Sequence, residues 1–117
     1  MDENTPLTFD EAALRSGRIR QLYHQLETRH HGEPWTKQED MIGFLYDVGE
    51  LGRLLMAAEG RWVAAEDGER QLEDKMAECL WWLFTLSERL GVDLSQAFRA
   101  KMDDLEKGLG DSLGKDR

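Results

Sequence analysis

Apolar residues recur at three- and four-residue steps through most of this chain, and the pattern breaks at only a few places. Met41, Phe44, Leu45, Val48, Leu51, Leu55 and Ala58 follow one another as the stripe of an amphipathic helix. Before them, Leu14, Ile19, Leu22, Tyr23 and Leu26 predict a first helix. After them, the segment from about Arg70 to Leu90 predicts a third, and Leu94, Phe98, Met102 and Leu105 a fourth. Start and stop signals agree with this division. Thr8 and Glu11, Thr36 and Glu39, and Asp93 and Gln96 have the spacing of capping boxes. The first helix should end near the "HHGEP" of His30 to Pro34, and Gly91 offers a C-terminal stop to the third. "EGRWVAAEDGER" reads as a loop punctuated by Gly60 and Gly68.

Short connections between helices that each carry an apolar stripe predict an all-α fold, an antiparallel four-helix bundle. One domain over residues 1–107 is expected, with residues 108–117, "GLGDSLGKDR", as a flexible Gly-rich tail. No internal repeat divides the chain.

Composition narrows the function classes. The chain has 117 residues and is 40% hydrophobic and 33% charged, with a formal net charge of -9. That balance argues against nucleic-acid binding, which relies on clustered Lys and Arg. No apolar run is long enough to cross a bilayer. The acidic, polar start "MDENTPLTFDEA" is unlike a signal peptide, so a cytoplasmic location is expected. Cys79 is the only cysteine, which rules out an intrachain disulfide; it reads as a small core residue. A domain of this size gains from oligomerising. Trp35, Trp62 and Trp81 exceed what one small bundle readily buries, so a homo-oligomer, a dimer first of all, is expected.

Candidate chemistry comes from acids on the wrong face. Stepping about one hundred degrees per residue places Asp47 in line with Leu51 and Leu54, and Asp40 one heptad earlier on the same side. Glu50 borders the stripe three residues after Asp47. On the third helix Glu78 stands inside the apolar run "MAECLWWLF", with Asp74 one turn earlier. Antiparallel packing would bring these acidic pairs face to face. Clustered carboxylates repel unless a cation intervenes, and oxygen ligands of this kind suit Mg²⁺ or Mn²⁺. Against this stands the plainer reading of ion pairs within each helix, for which Arg53 and Lys75 are available partners. His24, His30 and His31 fit no metal-ligand spacing, and no nucleophilic triad or phosphate loop is evident.

"FLYDVGELGRLL" followed by "LEDKMAECLWWLFTLSERLGVDLSQAFRAKM" resembles the MazG-like family of all-α nucleoside triphosphate pyrophosphohydrolases, over about Trp35 to Leu105. The resemblance implies Mg²⁺ bound by an EExxE and an ExxD element, (d)NTP substrates cleaved to monophosphate and pyrophosphate, and a dimer or dimer of dimers. By position, Asp47 and Glu50 match the second and third acids of EExxE, and Glu78 the Asp of ExxD. These three are the implied metal ligands. Asp74 matches an acid that often precedes ExxD, and Lys101 a lysine on the last helix. Their implied roles are water positioning or metal ligation for Asp74 and phosphate contact for Lys101. Three positions depart: Tyr46 replaces the first Glu of EExxE, Lys75 the Glu of ExxD, and Leu105 an Asn that often follows the lysine. Lys75 can stand in for the cation by pairing with Glu78 or Asp47. The function expected is therefore a metal-dependent pyrophosphohydrolase of (d)NTPs or a modified nucleotide, with a non-catalytic helical interaction module that has lost part of its metal site as the alternative. The tryptophans are read as packing residues rather than base-stacking ones.

Overall fold

A computed structural model describes residues 5–115. The acidic first four residues and the last two of the expected tail lie outside the described residues. The fold is all-α: α1 spans Phe9–His31, α2 Lys37–Ala58, α3 Gly68–Leu90 and α4 Leu94–Lys115, with no strand among the described residues.

The caps explain the boundaries. The Thr8 hydroxyl accepts the Glu11 amide, and Asp93 Oδ1 accepts the Gln96 amide. At Thr36 the box is complete, because Glu39 also accepts the Thr36 amide at 3.0 Å. Each contact satisfies a backbone donor that a helix start leaves without an intrahelical partner. α1 and α3 end at Gly32 and Gly91, whose φ values of 86° and 71° favour glycine. α4 differs from expectation: it continues through Gly108, Gly110 and Gly114 to Lys115. Leu109 and Leu113 extend its stripe by two more turns, but both are exposed.

α3 is the central element, packed against α2 on one side and α1 on the other. Its buried residues Trp82, Phe84 and Leu86 form the apolar core with Leu54 of α2. Phe9 of α1 meets Phe84 edge-on and stacks on Phe98, which ties α4 to the start of α1. The molecule is elongated, 62 × 40 × 35 Å, with a radius of gyration of 18.1 Å. A compact domain of this length would have about 13 Å.

Two faces differ from the expected ones. On α2 the inward positions are Asp40, Gly43, Phe44, Asp47, Glu50, Leu51 and Leu54, while Leu55 is exposed. On α1 the difference is larger. Its buried or half-buried side is polar, built from Ser16, Arg20, His24 and Glu27. Of the expected apolar series all five are exposed: Leu14, Leu22 and Leu26 lie on the outer side, while Ile19 and Tyr23 border a cleft towards α3. The reason is a charge network that the inward side of α1 has to complete, described next.

Candidate functional site

Two polar clusters lie between the helices. The deeper one centres on Asp40, which is 0% exposed. Its carboxylate accepts from Arg20 Nη2 of α1 at 2.7 Å and from Arg89 Nη1 of α3 at 2.6 Å. Arg20 also grips Glu27 through both terminal nitrogens, at 2.9 and 3.2 Å. Glu27 in turn accepts the Trp35 amide, and Arg89 donates to the Trp35 carbonyl. The network therefore holds the α1–α2 connection against α3. Burial works against ionisation of Glu27, but its hydrogen bonds to Arg20 and the Trp35 amide outweigh this and hold its pKa below the ordinary value. Asp40 was legible in sequence as an inward acid. Arg20, Glu27 and Arg89 were not: Arg20 and Arg89 meet Asp40 from other helices, and Glu27 is seven residues from Arg20 on α1, beyond the usual three- or four-residue pairing. The available signal was the polar series Arg20, His24 and Glu27 along one side of α1.

The second cluster contains the residues singled out from sequence. Lys75 Nζ of α3 lies between two carboxylates, donating to Asp47 Oδ1 of α2 at 3.3 Å and to Glu78 Oε2 at 3.2 Å. The other Asp47 oxygen accepts Trp82 Nε1 at 2.7 Å. Burial alone would lower the Lys75 pKa; the hydrogen bonds to Glu78 and Asp47 overcome that and raise it. The ammonium is therefore firmly charged at neutral pH. Burial and the two carboxylates also push the Cys79 thiol up, which keeps it protonated and unreactive.

The remaining candidates do not join this cluster. Glu50 turns to Arg53, whose Nη2 donates to it at 3.1 Å and lowers its pKa. Asp74 is exposed and pairs at 4.0 Å with Arg70, on its own helix. Lys101 is exposed on α4. No group of three or more His, Cys, Asp or Glu side chains able to hold a metal occurs among the described residues. The donor set does not fit a divalent centre: of the three expected ligands, two share an ammonium and the third is engaged elsewhere.

Beside the carboxylates of Asp47 and Glu78 a cavity of about 450 Å³ opens, walled by Ile19, Tyr23, Trp81 and Trp82. Trp81 is anchored through its Nε1, which donates to the Ser16 carbonyl at 3.2 Å, and its ring lies against both Tyr23 and Trp82. Comparison with family models, curated proteins and solved structures finds no match.

Proposed function

We propose that this chain is a MazG-like helical module that acts by association and not by hydrolysis, with Lys75 supplying internally the positive charge that a metal would otherwise bring. The observation that carries this reading is the Lys75 ammonium, within 3.3 Å of Asp47 and 3.2 Å of Glu78. A divalent ion entering between those carboxylates would meet that ammonium and gain only part of the Coulomb energy it finds in an all-carboxylate site. Association is supported by the exposed Leu14, Leu22 and Leu26 on α1 and by Ile42, Leu45, Leu55 and Met56 on α2. Apolar surface on that scale marks an interface, and a homodimer or dimer of dimers would cover it.

One observation favours the second reading, a Mg²⁺- or Mn²⁺-dependent pyrophosphohydrolase of nucleotides. Asp47 and Glu78 border a cavity with aromatic walls, wide enough to accept a base. In that reading Asp47, Glu50 and Glu78 would hold the metal, after Lys75 and Arg53 swing away, and the ion would bring charge neutralisation at the phosphates. Asp74 and Lys101 would need a rearrangement or a second copy to take part.

Pyrophosphate release from a panel of (d)NTPs, with Mg²⁺ and with Mn²⁺, tests the choice. The association reading expects no turnover above the buffer blank by wild type. Metal-dependent release that Glu78→Gln abolishes would establish the hydrolase instead.

A further inference from the structure

The cavity beside Asp47 and Glu78 presents an unusual combination of walls. Three aromatic rings, Tyr23, Trp81 and Trp82, line it together with Ile19. The charged groups in its lining are the two carboxylates, and Lys75 is not part of that lining. The ammonium takes one oxygen of each acid, and Trp82 Nε1 takes the second oxygen of Asp47. Glu78 Oε1 is left without a protein donor among the described hydrogen bonds, on a side chain that is 49% exposed. Two carboxylates against one ammonium leave one negative charge at the mouth. The whole chain, at -9, adds a field of the same sign.

An anion entering here would meet the remaining negative charge. A neutral apolar molecule would fill the cavity but leave the Glu78 oxygen to water. An organic cation satisfies every wall. Its alkyl groups would pack on Ile19 and the aromatic walls, and Glu78 would supply the counter-ion. Inorganic cations gain little from the aromatic walls, because they hold their water tightly.

We propose that this cavity is a binding site for a small organic ammonium ion, a quaternary or alkylated amine of a size comparable to choline. The site does not depend on the association reading, and its test reads binding and not turnover. Calorimetry of the full chain with choline chloride, and with its neutral isostere 3,3-dimethylbutan-1-ol, isolates the contribution of charge. Choline should bind saturably, and the isostere about tenfold more weakly or worse. Glu78→Gln should weaken choline by about five- to tenfold and leave the isostere unchanged. It keeps the Lys75–Asp47 pair, and Glu78 is half exposed, so the variant should fold. Ile19→Lys, which places a cation at the mouth from outside the carboxylate cluster, should abolish choline binding. Equal affinity for choline and the isostere, or no binding of choline, would overturn the proposal. So would tighter binding of adenosine monophosphate than of choline, which would make the cavity a nucleotide site. Light scattering alongside supplies a further check: dissociation of an oligomer by choline would show that the cavity belongs to an interface and contradict a free ligand site.

Discussion

Asp40 shows how much a single buried charge organises. Its carboxylate is fully enclosed and holds two guanidinium groups from two other helices. Removing it leaves Arg20 buried with Glu27 as its remaining partner, so Asp40→Ala should cost about 3–5 kcal/mol in urea denaturation. Asp40→Asn should recover only part, since an amide keeps one acceptor and loses the charge. His24 lies beside the same network, and its Nε2 is buried with no protein partner. Burial, then the charges of Arg20 and Arg89, lower its pKa, while Glu27 and Asp40 act in the opposite direction. A base whose folded pKa lies below its unfolded value of 6.5 is bound to more protons in the unfolded state. Stability should therefore fall as pH drops from 6.5 through the lower folded value. Melting temperatures across pH 7 to 5 should show that decline in wild type and a flatter profile in His24→Gln. An identical slope in both would exclude His24 as its source.

At the scale of the helices, much was legible because local signals set it. Thr8, Thr36 and Asp93 cap where their spacing says they should, and Gly91 stops α3. Asp40 and Asp47 point inward, as their angular position requires. What was not legible depended on contacts between helices. An apolar stripe on α1 is equally consistent with a core and with an outer interface, and only the partners of Arg20 decide which face turns in. Likewise, the sequence offered Lys75 as a partner for Glu78 or Asp47, but did not show that one ammonium serves both carboxylates. The α2–α3 contact itself rests on Gly43. A Cβ there would lie 2.7 Å from Trp82 Cζ2 and 2.8 Å from Cη2, with Trp35 Cζ3 at 3.3 Å. Trp82 is held by Asp47 and cannot retreat freely. Gly43→Ala should therefore cost about 1–3 kcal/mol in thermal melts, despite the better helix propensity of alanine. A neutral or stabilising result would mean that α2 and α3 do not approach this closely.

For the whole molecule, shape and surface point the same way. The buried apolar set is small, and α4 carries Leu105, Leu109 and Leu113 exposed along its length. Burying those stripes against a copy of itself would supply what so small a core does not. Light scattering at micromolar concentration should give at least twice the mass of one chain; a monomer would contradict the association reading. That reading depends on Lys75 being the cation of the Asp47–Glu78 site, and calorimetric titration of Mg²⁺ into metal-free protein addresses this most directly. Wild type should give no saturable binding heat, and Lys75→Glu, which removes the ammonium and adds a carboxylate, should gain a Mg²⁺ site. Stoichiometric Mg²⁺ binding by wild type, lost in Glu78→Gln, would show that a metal displaces Lys75 and that the account is wrong.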